Sequence, residues 1–206
     1  MTHNSKELHV ISNGKMSMEQ LAEIAADICP YVTKIHLREK QKTARELYQA
    51  VNLMTKYNVP LSKIMLNDRV DVAFMTGAAG VQLASHSLEV STVKANFPDL
   101  TLGCSIHSLK EGKQAEQNGA NYVIYGHIFS TNSKPGLKPR GLEKLKKLTG
   151  LLTIPVVAIG GISPENAEQV IQTGANGIAV MSGILEARDP ILAVKAYKKG
   201  IETGDV

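Results

Sequence analysis

The chain has 206 residues, 43% of them hydrophobic, which suits one globular domain with a substantial core. No apolar run approaches the ~20 residues that span a bilayer, and Met1–Glu7 lacks the charged-then-apolar layout of a signal peptide, so the reading is a cytoplasmic protein with no membrane partner. The net charge of +4 comes from scattered lysines, with no Trp and no long basic run, which argues against nucleic acid as a partner and fits an anionic small molecule.

Short β-prone runs alternate with helix-like segments. Leu8–Ser12 precedes a helix over Ser17–Ile28, and Lys34–Glu39 precedes one over Thr43–Tyr57. Lys63–Asp68 pairs with Asp71–Met75, Gly80–Ala84 with Leu88–Asn96, and Thr101–Ser105 with Ser108–Asn118. The last three repeats are Tyr122–Ile128 with Gly141–Leu148, Pro155–Ile162 with Pro164–Thr173, and Gly177–Ile184 with Pro190–Gly200. Ser17, Ser108 and the Ser163-Pro164-Glu165 run are helix-start signals. Eight strand–helix repeats without a linker predict an α/β fold, a (β/α)8 TIM barrel, with residues 1–206 as a single domain. An open doubly wound sheet is the competing arrangement.

In a barrel of this kind the chemistry sits where strands end and the following loops begin. Strand 2 ends in His36-Leu37-Arg38-Glu39-Lys40. Alternation puts His36, Arg38 and Lys40 on one face, and two fixed positive charges there call for an anion unless Glu39 or Asp68 pairs with them. Asn67 ends strand 3 and Ser105 ends strand 5. Gly160-Gly161 and Ser182-Gly183 follow strands 7 and 8, the usual place for a phosphate held by backbone N–H groups. Aspartate at Gly161 or Gly183 is accordingly expected to weaken ligand binding more than folding. His127 ends strand 6, and histidine is the side chain whose ordinary pKa lies nearest neutrality. A buried, hydrogen-bonded core histidine is the plainer alternative. Cys29 and Cys104 have no zinc-ligand spacing and read as free thiols.

Several stretches together resemble the thiamine phosphate synthase superfamily. They are Leu37-Arg38-Glu39-Lys40, Asn67-Asp68-Arg69, Gly103-Cys104-Ser105, Gly126-His127-Ile128-Phe129, Pro155–Ser163 and Gly177–Ile184. Within that superfamily the chain is most similar to the thiazole tautomerases. Synthases usually carry Gln where this chain has His36, a magnesium-binding Asp where it has Ser87, and Pro where it has His127. Their Thr-x-Thr-Lys run appears as Thr131-Asn132-Ser133-Lys134.

The resemblance implies isomerisation of a dihydrothiazole carboxylate phosphate to its aromatic isomer, with no cofactor and no metal. It implies His127 and Arg38 as catalytic residues. Lys40, Asn67, Ser105, Thr131, Ser133, Lys134, Gly160, Gly161, Ser182 and Gly183 would bind the thiazole phosphate substrate. His36 and His107 would only shape the pocket. Apart from the resemblance, Pro135, Gly136 and Pro139 suggest that the 130–140 loop is a lid with hinge points, a disordered surface loop being the plainer alternative. Two alternatives stand beside this: a thiamine phosphate synthase, and a non-catalytic regulator that binds a thiamin-related phosphate. Assembly into a homo-oligomer is left open.

Overall fold

The structure is a computed structural model that describes residues 6–202. Most of the Met1–Glu7 segment, on which the leader reading rests, lies outside them. The strands are β1 (Glu7–Ile11), β2 (Lys34–Leu37), β3 (Ile64–Asn67), β4 (Gly80–Leu83), β5 (Thr101–Ile106), β6 (Tyr122–Gly126), β7 (Val156–Ile159) and β8 (Gly177–Val180). The helices are α1 (Met18–Ile28), α2 (Ala44–Lys56), α3 (Val70–Thr76), α4 (Val90–Asn96), α5 (Leu109–Gln117), α6 (Leu142–Thr149), α7 (Ala167–Ile171), α8 (Ser182–Leu185) and α9 (Pro190–Glu202). Each strand pairs in parallel with the next, and β8 returns to β1 from Glu7↔Gly177 to Val10↔Val180. The predicted closed (β/α)8 barrel is therefore the fold, and the open sheet is excluded.

The strand alternation sorts side chains into two layers. Leu8, Val10, Ile35, Leu37, Ile64, Leu66, Val81, Leu83, Val123 and Tyr125 point outward into the main core beneath the helices. The intervening residues point into the barrel, where Ile11, Met65, Ile124, Val157 and Ala179 form a second, smaller apolar cluster. Among the inward positions His9, His36 and Gln82 are polar and buried, and Ser105 is half-buried.

Side-chain caps open α1, α2 and α5. The Ser17 hydroxyl accepts from the Gln20 N–H at 3.2 Å, and the Gln20 side chain accepts from the Ser17 N–H at 3.3 Å. Thr43 and Glu46 make the same reciprocal pair. Ser108 accepts from the Glu111 N–H at 3.2 Å.

Most strand and helix ends shift by one to a few residues from the sequence reading, and two of these shifts bear on the site. β8 stops at Val180, not Ile184, and Ser182–Leu185 turns helical. The apolar run Gly177–Ile184 hides this change, because the last turn buries Ile184 and Leu185 as a strand would. α7 begins at Ala167, not Pro164. Asn166 spends its side chain on the preceding turn, accepting from the Ser163 N–H at 2.9 Å and donating to the Gly161 carbonyl at 3.1 Å.

Candidate active site

The C-terminal ends of the strands surround a cavity of about 830 Å³. Each residue that the sequence singles out for catalysis or binding lies on its wall: Arg38 and Lys40 beyond β2, Asn67 and Ser105 at the ends of β3 and β5, His127 beyond β6. Thr131, Ser133 and Lys134 close one side from the following loop, and Gly160, Gly161, Ser182 and Gly183 close another. His36, His86 and His107 border the same space.

Among the described residues no ion pair joins Arg38 or Lys40 to a carboxylate. Glu39, the neighbour that could have neutralised them, is buried and accepts from the Gly14 N–H at 3.2 Å instead. Two unpaired cations facing a cavity favour an anionic occupant.

His127 is 6% exposed, and its Nε2 lies 3.2 Å from the Leu137 carbonyl. A carbonyl only accepts, so the ring carries a proton on Nε2, and in the neutral form Nδ1 is left as a lone pair. The loop supplying that carbonyl is folded back on its own strand end. The His127 carbonyl accepts from the Arg140 N–H at 2.9 Å, and the Gly126 carbonyl accepts from Arg140 Nε at 3.1 Å. His107 donates from Nδ1 to the same Gly126 carbonyl at 3.3 Å. The 130–140 loop thus fixes the orientation of the ring it covers.

Ser105 is oriented by a chain of hydrogen bonds from inside the barrel. The Tyr122 hydroxyl donates to Gln82 Oε1 at 2.8 Å, and Gln82 Nε2 donates to Ser105 Oγ at 3.0 Å. Burial pushes the Tyr122 phenol up, so it stays protonated and keeps donating. With its oxygen already accepting, Ser105 retains an O–H to donate.

The glycines meet two different needs. Gly160 and Gly161 have φ of +101° and +66°, and a Cβ at Gly161 would lie 2.4 Å from the Ser130 carbonyl oxygen. Gly183 lacks a positive φ, yet a Cβ there would lie 2.2 Å from the Tyr197 hydroxyl. Aspartate at 161 or 183 therefore meets protein atoms as well as any ligand. Either substitution is thus expected to disturb folding directly, contrary to the expectation that binding would suffer more than folding.

Some rim residues escaped the sequence reading. Asn13 and Lys15, just past β1, both reach Glu186 beyond α8: Asn13 Nδ2 donates at 2.7 Å and Lys15 Nζ at 2.8 Å. All three border the cavity. The strand-end rule that found Arg38 and His127 would have found Asn13 and Lys15. Glu186 had no such signal, because it follows the unrecognised helix α8.

A magnesium ion of the kind synthases use does not fit these side chains. Ser87 turns its hydroxyl back to accept from the Ala84 N–H at 2.8 Å. The Asp68 carboxylate has His86 Nε2, 4.0 Å away, as its neighbour rather than a second acid. No group of three or more His, Cys, Asp or Glu suited to a metal occurs among the described residues. Hard divalent cations need several oxygen donors, and the described residues gather no such set here. Both cysteines are free, and burial pushes the Cys104 thiol up, away from the reactive thiolate.

No helix among the described residues is long and apolar enough to cross a membrane. The family model for thiamine monophosphate synthase matches residues 8–184. The chain is 34% identical over 200 residues to a thiamine-phosphate synthase of Pyrococcus furiosus, covering 97% of this chain and 96% of that one. It is 40% identical over 177 residues to the thiamine-phosphate synthase of Chlorobium phaeovibrioides, covering 84% of each. The solved thiamine phosphate pyrophosphorylase of Pyrococcus furiosus superposes with a TM-score of 0.82 at 35% identity over 98% of both chains. A 3-hexulose-6-phosphate synthase structure, at 20% identity and a TM-score of 0.73, shares the fold. These relatives carry the synthase name, which matches the synthase alternative better than the tautomerase reading. By the extent of the family match and the identity along nearly its whole length, the chain belongs to the thiamine monophosphate synthase family.

Proposed function

We propose that the barrel mouth is a proton-transfer site, and that the protein isomerises a dihydrothiazole carboxylate phosphate to the aromatic thiazole carboxylate phosphate. The observation that carries this reading is His127: a buried ring on the cavity wall, pinned at Nε2 by the Leu137 carbonyl, with Nδ1 left to take a proton. His127 removes the proton from ring C2, and the charge spreads through the ring and the exocyclic double bond. The same imidazolium returns the proton at the exocyclic carbon, and aromatisation gives the direction. Arg38 and Lys40 hold the carboxylate, Arg38 through its planar fork. The backbone at Gly160-Gly161 and Ser182-Gly183 holds the phosphate, with Thr131, Ser133 and Lys134 closing over it, while Asn67 and the Ser105 hydroxyl contact the ring. Fixing both ends of the ligand places C2 against the imidazole.

The second reading is the synthase, favoured by the names of the relatives, in which a pyrimidine pyrophosphate is joined to a thiazole phosphate. Ser87 and the lone Asp68 speak against it at the pyrophosphate end. One experiment separates the two. Purified protein is given the dihydrothiazole, and conversion is followed by ultraviolet absorbance; in parallel it is given the two synthase substrates with magnesium. Isomerisation without coupling is expected. Robust coupling without isomerisation would install the synthase in its place.

Arg38→Gln is expected to weaken ligand binding and rate together, because its charge is felt by ground and transition states alike. The loss should be about 1.5–3 kcal/mol in binding, the usual worth of a hydrogen bond to a charged group, read by calorimetric titration. Unchanged affinity in a folded variant would take Arg38 out of the carboxylate site.

A further inference from the structure

Beneath the mouth, a second polar string runs through the barrel. His9 on β1 is fully buried, and His36 on β2 is 1% exposed. His9 Nε2 lies 2.7 Å from Glu7 Oε2, and His36 Nε2 lies 3.1 Å from His9 Nδ1. Glu7 stands at the start of β1, at the end of the barrel opposite the cavity, with its side chain 34% exposed. His36 borders the cavity. The string therefore links the barrel floor to the pocket. Its terminal atom, His36 Nδ1, is buried without a hydrogen-bond partner, a condition that is costly and calls for an explanation.

The proton positions follow from what each atom can do. The hydrogen bond from His9 holds the Glu7 carboxyl below its usual range, so it is a carboxylate and only accepts. His9 then carries its proton on Nε2. A neutral His9 offers a lone pair at Nδ1, so His36 donates from Nε2, and His36 Nδ1 is a bare acceptor. Burial, with His9 and Lys34 nearby, pushes His36 well below the ordinary histidine value, so this ring resists holding a charge itself.

We propose that Glu7, His9 and His36 form a proton relay that makes His36 a positioning residue, an acceptor toward the pocket while the pair is neutral and a donor after one proton is taken up. The proton balance is simple. A proton arrives at His36 Nδ1 from the pocket, and the His36 Nε2 proton crosses to His9 Nδ1. His9 becomes imidazolium beside the Glu7 carboxylate, and His36 ends neutral with its proton on Nδ1. One proton is gained, and the charge rests next to its counter-ion and not on the ring that resists it. A ligand that meets His36 with an acceptor oxygen, such as a carboxylate or phosphate, selects the donor state. The other groups facing the pair are Lys34 on β2 and the neutral Tyr122 phenol, edge-on to His9 with ring centres 5.4 Å apart. On the cavity side stand Arg38, Lys40, His86, His107 and His127.

The ligand arm rests on the function proposed above; the acid titration does not. Histidine-labelled ¹⁵N protein, with His9→Gln and His36→Gln for assignment, reads both rings. In the free protein at neutral pH both are expected as neutral Nε2–H tautomers. On acidification His36 should convert to the Nδ1–H tautomer while His9 becomes doubly protonated. Saturation with the aromatic thiazole carboxylate phosphate should produce the same change at neutral pH. Calorimetry in buffers of different ionisation heat should show uptake of about one proton per ligand, with affinity falling up to ~10-fold per pH unit above the titration of the pair. Glu7→Gln should abolish that uptake. A His36 that becomes imidazolium on acidification, or that keeps its Nε2–H form both in acid and in the complex, would overturn the relay. A failed isomerisation assay leaves the acid titration readable, so the two proposals fail separately.

Discussion

His127→Gln is expected to lower the isomerisation rate by ~10²-fold or more, the scale of a lost general acid or base. Glutamine keeps a donor that can reach the Leu137 carbonyl, so the loop fold should survive the change. It supplies no group that can take a proton near neutral pH. The carboxylate and phosphate contacts lie on other elements, so binding of the aromatic product should change little. The measurements are conversion of the dihydrothiazole by ultraviolet absorbance, proton exchange at C2, and calorimetric affinity for the product. A variant with a near-normal rate would sink the mechanism and move the proton to His36 or His107.

Gly161→Val is expected to destabilise the fold by about 2–6 kcal/mol, combining the roughly 1–3 kcal/mol of a non-glycine residue held at φ > 0 with the ~1–3 kcal/mol of forced overpacking. The new Cβ would lie 2.4 Å from the Ser130 carbonyl oxygen and 2.8 Å from the Phe129 Cβ. Neither is the far end of a flexible side chain. The added γ-branches make the site tighter still. The check is the denaturant midpoint of the variant against the parent protein. An unshifted midpoint would mean the turn relaxes freely, and the glycine would then be explained by ligand approach alone.

The sequence made the barrel legible because eight short β-prone runs recur with helix-like segments between them, and α1, α2 and α5 open on side-chain caps. Lys34–Leu37 alternates inward and outward as read, which is why Arg38 and Lys40 share the cavity wall with His36. Helix α8 was not legible. Ile184 and Leu185 extend the apolar run of β8, and only tertiary packing bends them into a helical turn. The role of Ser87 was half legible: the missing acid could be seen, but not the hydroxyl turned back to Ala84. The Asn13–Lys15–Glu186 rim joins residues 171 and 173 positions apart, a pairing that no local pattern carries. His9 read as part of an apolar strand. Its partners became visible only when β1 and β2 were set side by side.

The seam between β8 and β1 joins the first strand of the chain to the last. Until residues 177–180 are available, β1 has no partner on that side and β7 has an open edge. Open strand edges template pairing with other chains, and parallel pairing between distant segments is slow to form. A folding chain therefore keeps both edges open until the Gly177–Val180 segment docks, and closes them together. The speed of that docking then bears on aggregation during folding, apart from the stability of the finished barrel.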